Sequence, residues 1–273
     1  MSRTLKSFLL HAALFAGAAL TLFPIFWMLS ASFMANGEAT AFPPHLIPHA
    51  ATLDQYRQLF TRLNLGRAFF SSAFVATMVT IFSVLFNSMA GYAFAKLRFG
   101  GRDRIFGLLL AALVIPPQVG MLPLFLLMKQ LHLVNSYWGA IIPSLATVFG
   151  VFLIRQFMLD VPQELLEAAR LDGASELRIY WSVVLPLARP ILATLATFMF
   201  MSTWNDFMWP LIVLSDQSHY TLPVALANLS GEHVQDLELM MAGSVVTVLP
   251  VLMLFVFLQR YYIAGLMAGS VKG

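Results

Sequence analysis

The chain has no cysteine, so disulfides, thiolate metal sites and a cysteine nucleophile are excluded, and stability has to come from packing. Charge is scarce: Lys, Arg, Asp and Glu together make up 11% of the 273 residues. No stretch reads G-x-x-x-x-G-K-[ST], so nothing here can cradle ATP phosphates as a P-loop does, and energy from ATP would have to enter through another chain. HExxH and G-x-S-x-G are missing too, which leaves an intramembrane protease or acyltransferase without a recognisable catalytic set. His11, His45, His49, His132, His219 and His233 are scattered, mostly in loops, and read as solvated side chains rather than ligands.

What the chain has in excess is apolar surface. Hydrophobic residues make up 59%, with 24 Phe and 15 Met, and mean hydropathy is +0.80, which makes lipid the expected solvent. A span needs about 20 apolar residues to cross the hydrocarbon layer. Runs of that length lie near 8–33, 69–95, 105–127, 138–158, 184–214 and 242–263, predicting an all-α membrane protein of six transmembrane helices in a single transmembrane domain over 1–273. Arg3 and Lys6 precede the first run, as in a secretory signal peptide, but the run is too long for such a segment and contains Pro24 and Trp27, so it reads as a helix. Arg155, near the last turn of the fourth run, can snorkel.

Orientation follows from the basic residues. With both termini in the cytoplasm, that side receives Arg3, Lys6, Lys96, Arg98, Arg102, Arg104, Arg155, Arg170, Arg178, Arg189, Arg260 and Lys272. The other side receives only Arg57, Arg62, Arg67 and Lys129, and 215–241 has neither Lys nor Arg. The loop after the first span is expected to be partly helical, with Leu53, Tyr56, Leu59 and Phe60 at helical spacing. Pro24, Pro116, Pro117, Pro143, Pro190, Pro210 and Pro250 are expected to interrupt the spans, as where helices bend round a pathway.

One cytoplasmic segment, 160–182, is unlike the rest. Asp160, Pro162 and Gln163 form a helix-start signal, Leu165, Leu166, Ala168 and Ala169 give an apolar, partly small-residue face, and Gly173 can end the helix in the left-handed conformation. Ser175 can cap a second helix carrying Leu177, Ile179, Trp181 and Val184, until Pro186 breaks it. The first helix turns Glu164, Glu167 and Asp172 to water. A membrane-surface helix would present Lys and Arg to anionic lipid instead, so this one suits either a knob entering a basic groove on another protein or an ordinary amphipathic loop helix.

The segment "EAARLDGA", followed after the glycine by nine residues and then Val183 and Leu185-Pro186, resembles the EAA signature of the permease subunits of bacterial ATP-binding-cassette importers. The resemblance implies that Glu167, Ala168, Ala169, Asp172 and Gly173 belong to a coupling helix that docks into a cleft on a cytoplasmic ATPase subunit; Val183 stands where isoleucine is commoner. It extends over nearly the whole chain. "AGYAFAKLRFGGRDRIFGLLL", "IPPQVGMLPLFLLMKQL", "YWGAIIPSLATVFGVFLIRQFM", "WNDFMWPL" and "GLMAGSVKG" are similar to carbohydrate-uptake permeases of the maltose-transporter type, the shorter, six-helix partner of the pair; Ser71 stands where that branch usually has Asn. A type I importer permease fold in the bacterial inner membrane is implied. So are its partners: a second permease, two ATPase subunits that bind ATP-Mg, and an extracytoplasmic solute-binding protein. The chain itself would carry no cofactor, metal or catalytic residue and bind no nucleic acid. A noncarbohydrate polar solute such as glycerol phosphate fits the same architecture.

Asn205 and Asp206 lie in the apolar run "TFMFMSTWNDFMWPLIVL", with Asp206 about 30 Å along the helix from Pro186 at 1.5 Å per residue and so toward its outer end. Trp204, Asn205, Asp206 and Trp209 are candidates to line the outer part of a sugar pathway, aromatic faces covering pyranose C–H groups and polar tips bonding hydroxyls. An interfacial aromatic belt with a structural aspartate reads equally well.

Overall fold

The computed structural model describes residues 3–43, 45–61, 64–232 and 236–270, and side chains within 6–43, 45–61, 64–229 and 236–257. Arg62, His233 and Lys272 lie outside the described residues, as do the side chains of Arg3, of Arg260 and of all of "GLMAGSVKG". Every regular element among the described residues is helical. In chain order they are α1 (Arg3–Ala31), α2 (Asp54–Thr61), α3 (Leu65–Lys96), α4 (Arg102–Ala112), α5 (Met121–Gln130), α6 (Tyr137–Ile141), α7 (Val148–Leu159), α8 (Gln163–Leu171), α9 (Glu176–Ile179), α10 (Leu185–Leu187), α11 (Arg189–Trp204), α12 (Met208–Val213), α13 (Leu222–Glu232) and α14 (Leu237–Ser270).

Four stretches are long and apolar enough to cross a membrane as they stand: Lys6–Ala31, Leu65–Lys96, Tyr137–Leu159 and Leu237–Phe257. The other two expected spans are broken. The run 105–127 is divided between α4 and the segment Pro117–Gln130, which meet at 97°, because Pro116 and Pro117 cannot continue the helix that precedes them. The run 184–214 is divided twice: Glu176–Leu187 meets Arg189–Trp204 at 82°, and a further break separates α11 from α12. Not every proline interrupts, however. Pro24 and Pro250 lie inside unbroken helices, where membrane helices tolerate them.

The chain groups into two compact units, Met1–Arg67 with Leu222–Pro250, and Ala68–Thr221 with Val251–Gly273. In the first unit, Ala31, Met34 and Ala39 pack with Trp27, Leu237 and Met241. The loop between α1 and α2 is tied down by carboxylates: Glu38 accepts from the Ala35 amide at 3.2 Å and from the His49 amide at 2.7 Å, and buried Glu238 accepts from the Ala39 amide at 2.7 Å. Within α2 the buried residues are Gln55 and Leu59, whereas Leu53 and Phe60 are exposed. Leu53 precedes the helix, and Tyr56, Leu59 and Phe60 within it do not form one buried face.

The second unit is built on α3, which carries buried Ser71, Ser72, Ser83, Asn87 and Ser88 in an otherwise apolar helix. Each polar group meets its need for a partner inside the protein, as hydrocarbon requires. Ser71 Oγ lies 2.8 Å from the Tyr137 hydroxyl, which gives a role to the serine found where asparagine is usual. Asn87 Oδ1 accepts from the Thr147 amide at 2.9 Å, just before α7. Crossing of α3 and α7 is close: a Cβ on Gly91 would stand 2.6 Å from Ile154 Cγ2 and 3.0 Å from the Arg155 amide nitrogen. Arg155 does not extend away from the helices. Its guanidinium lies 4.1 Å from the Phe106 ring centroid, and Nε donates to the Phe94 carbonyl at 3.4 Å.

Candidate functional site

Segment 160–182 forms two short helices meeting at an elbow. Asp160 does not start the first of them; it caps the end of α7, and Pro162 occupies the residue before α8 with no side-chain bond to the helix. Proline suffices there, since the first amides of a helix have no intrahelical acceptor and Pro presets the extended backbone before the turn. Glu164 lies in the first turn of α8 and Arg170 in the last, each complementing the helix dipole.

The end of α8 is a Schellman turn. Gly173 has φ +78°, its amide donates to the Arg170 carbonyl, and the Ala174 amide reaches back to Ala169, both at 3.0 Å. A Cβ on Gly173 would meet nothing within 4 Å, so the backbone conformation alone demands glycine. Ser175 then caps α9, its hydroxyl accepting from the Arg178 amide at 3.4 Å. A wider, π-type turn at Tyr180–Val184 leads into α10.

The exposed face of this elbow carries Glu164, Glu167, Ala168, Asp172 and Gly173, with Leu165 and Leu171 also open; Ala169 is half-buried. Leu166 alone of α8 is fully buried, packed into the core of the second unit. Leu165, Leu166, Ala168 and Ala169 therefore do not share one face: Leu166 anchors the helix while Leu165 and Ala168 remain available to a partner.

Three contacts fasten the segment to α3, and none of them was read from the sequence. Lys96 Nζ donates to the Val161 carbonyl at 2.6 Å. Tyr92 donates to Glu176 Oε2 at 2.7 Å, and the same carboxylate receives Arg170 through Nε at 2.7 Å and Nη2 at 3.3 Å. Tyr180 Oη lies 2.7 Å from Ser88 Oγ; because the serine proton is directed to the Val84 carbonyl, the tyrosine is the donor. The only sequence signal was the spacing of Ser88, Tyr92 and Lys96 at successive turns of one helix.

The second candidate group is dispersed. α11 ends at Trp204, Asn205 is its capping residue, and Asp206 accepts from the Trp209 amide at 3.4 Å at the start of α12. Asp206 therefore stands at a helix break rather than inside a continuous helix, and its distance along the run from Pro186 is not that of one straight rod. Trp204 is buried against Phe69 and Phe200, and Trp209 is buried with its indole nitrogen donating to the Gly139 carbonyl at 3.0 Å. The two tryptophans belong to the packing of the second unit; Asn205 is exposed and Asp206 half-buried. Among the described residues no group of three or more His, Asp or Glu side chains is placed to hold a metal ion.

These features define a multi-pass helical membrane protein that projects a short acidic helix, closed by a glycine elbow, from the ends of its spans. The chain belongs to the family of binding-protein-dependent transport system inner membrane components, whose pattern matches residues 87–267 and so includes the elbow, the stripe on α3 and the α11–α12 break. It is 41% identical over 263 residues to the arabinooligosaccharides transport system permease protein AraQ of Halalkalibacterium halodurans, covering 94% of this chain and 93% of that one. It is 33% identical over 253 residues to the melibiose/raffinose/stachyose import permease protein MelC of Bacillus subtilis, covering 92% and 91%. Among solved structures, a chain of a bacterial ABC transporter involved in the import of the acidic polysaccharide alginate matches 96% of this chain and 99% of its own length, with a TM-score of 0.82 and 26% identity. The fold is thus that of a type I ABC importer permease, and the chain is a transport subunit of the inner membrane that works with ATPase and solute-binding partners.

Proposed function

We propose that this chain is the shorter permease of an ATP-driven, binding-protein-dependent importer of sugars or oligosaccharides. It pairs with a second permease in a heterodimer, stands on two ATPase subunits that hold ATP-Mg, and receives solute from an extracytoplasmic binding protein. It carries no cofactor of its own. Both termini and segment 160–182 lie in the cytoplasm, as the distribution of basic residues supports. The single observation that carries the reading is the elbow: Glu167, Ala168, Asp172 and Gly173 stand on an exposed face while Leu166 anchors the same helix in the core. Such a helix presents acids to a basic groove, small residues for close approach, and a rigid back through which ATPase closure can move the spans between inward- and outward-facing states. The sugar class is drawn from the relatives, whose names specify arabinooligosaccharides and raffinose-type sugars. Asn205 and Asp206 supply the polar part of the pathway, with Trp204 and Trp209 shaping the wall behind them.

Co-expression with the candidate ATPase tests the assembly. The chain is expected to co-purify with an ATP-hydrolysing subunit whose activity rises when loaded binding protein is added. A panel of saccharides that shift the melting of that binding protein then identifies the cargo. Failure to retain any ATPase, with the chain folded and inserted, overturns the reading.

A further inference from the structure

The geometry points to a polar stripe on α3, Ser88, Tyr92 and Lys96, as the positioning device that makes the coupling segment and the second span move as one body. The inference rests on the coupling role proposed for 160–182 and assigns it a mechanical path. The three residues are spaced i, i+4, i+8, so they lie on one face over consecutive turns of a helix. Each holds a different point of the following segment: Lys96 the Val161 carbonyl before α8, Tyr92 the Glu176 carboxylate after the elbow, and Ser88 the Tyr180 hydroxyl further on. The coupling helix is thus held at both ends by one rigid rod.

Glu176 is the centre of this arrangement. One of its oxygens receives Arg170 Nε, across the elbow, and the other receives Tyr92 from α3. The carboxylate therefore closes the elbow on itself and fixes the closed elbow to the span through charge-assisted hydrogen bonds, which are stronger than neutral ones. Tyr92 and Tyr180 are buried, and Ile179 between the two anchoring points is fully buried, so packing backs the α3 side of the attachment while Glu176 itself stays open to solvent. A push on the exposed face of α8 has no soft joint at which to dissipate before it reaches α3. Without the stripe, α8 is joined to the spans only through the backbone, by the short Asp160–Pro162 link to α7 on one side and by the Gly173 elbow and the wider turn at Tyr180–Val184 on the other.

The stripe residues touch neither solute nor ATP in this scheme. Their loss should leave basal ATP hydrolysis of the assembled complex intact and lower the yield of the stroke. In the complete complex reconstituted with its binding protein, Tyr92→Phe removes one hydroxyl without changing shape, Glu176→Gln removes the charge that joins Arg170 to Tyr92, and Lys96→Met removes a donor that Lys96→Arg restores. The expected result is a drop of about fivefold in solute moved per ATP hydrolysed for Tyr92→Phe, the scale of one hydrogen bond. Glu176→Gln should lose more, Lys96→Arg should recover what Lys96→Met loses, and the Tyr92→Phe, Glu176→Gln double variant should be less than additive. A role confined to folding would reduce the amount of assembled complex and leave the ratio of solute to ATP unchanged; an unchanged ratio overturns the inference whatever the yield of protein. Gly173→Val is measured in parallel. If it lowers the ratio and Tyr92→Phe does not, the stripe is wrong and the coupling role stands; if neither lowers it, the coupling role is wrong as well.

Discussion

The loop 32–52 and the coupling segment 160–182 are of similar length, and both are shaped by carboxylates, yet they use them in opposite ways. In the loop the one acid, Glu38, turns onto the backbone amides of Ala35 and His49, and Glu238 reaches in from α14 to the Ala39 amide. In the coupling segment all the acids are exposed, and of them Glu176 is engaged by Arg170 and Tyr92 while Glu164, Glu167 and Asp172 face out toward a partner. A segment that has only to keep its shape has its amides satisfied by acids turned onto them. One that has to meet a partner is held from behind by helix caps, Leu166 and the adjacent span, which leaves its charges facing out.

The largest expected effect comes from attacking the outward face. Gly173→Val forces a β-branched residue to φ +78°, a strain of about 1–3 kcal/mol at a joint that must seat in another protein, so binding-protein-stimulated ATP hydrolysis should fall about tenfold or more. Glu167→Lys should fail by charge alone, with the permease normally inserted, and a partner-subunit groove mutated from basic to acidic should recover it. Full stimulation in both variants would remove the functional half of the comparison.

Next in size is the inward-facing half. Glu238→Ala leaves the buried Ala39 amide without an acceptor and should cost about 1–3 kcal/mol, read as a lower melting midpoint of the purified complex. Glu238→Gln keeps an acceptor and should regain most of it. Smaller again, Ser175→Ala removes the cap of α9 and should cost about 1 kcal/mol, seen as faster amide exchange at Arg178, with stimulated hydrolysis nearly preserved because Glu176 still closes the elbow.

The smallest effect is a pH dependence of the loop. The His49 amide, then its ring, hold the Glu38 carboxyl below the usual glutamate value. A carboxyl depressed on folding adds stability above its unfolded pKa, and the contribution is lost as pH falls through the folded value. Wild type should therefore melt slightly above Glu38→Gln at neutral pH, and the two should converge as the medium is acidified below the ordinary carboxylate range. A gap that is independent of pH would show that the Glu38 charge does not hold the loop.

The elbow was legible in the sequence because each of its determinants is local. Gly173 and Ser175 act on neighbours within five residues, so the Schellman turn and the α9 cap follow from chain order alone. The start of α8 at Gln163 is equally local, marked by Pro162, although Asp160 falls at the end of α7 rather than at the cap of α8. Asn205 and Asp206 were placed inside a helix because hydropathy was given more weight than local chemistry. An Asn-Asp pair followed by Pro210 is a stop and a restart, and the structure ends one helix and begins another there. The joining of Tyr92 to Glu176, 84 positions apart, has no local signature at all. Only the i+4 spacing of Ser88, Tyr92 and Lys96 was on view, and without the fold it could not be distinguished from chance. The tryptophans were ambiguous for a similar reason: hydropathy marks an aromatic residue for burial without saying whether protein or pathway will cover it.

The close crossing of α3 and α7 has an evolutionary consequence. Ile154 occupies the space that any side chain at position 91 would need. The Cβ of residue 154 at 2.7 Å and the Arg155 amide nitrogen at 3.0 Å would remain in the way whatever side chain stood opposite, so position 91 should stay glycine across descendants of this lineage wherever the crossing keeps its closeness. Where both helices have drifted freely, the crossing will have opened, and the coupling segment attached to α3 will have had to acquire a new seat.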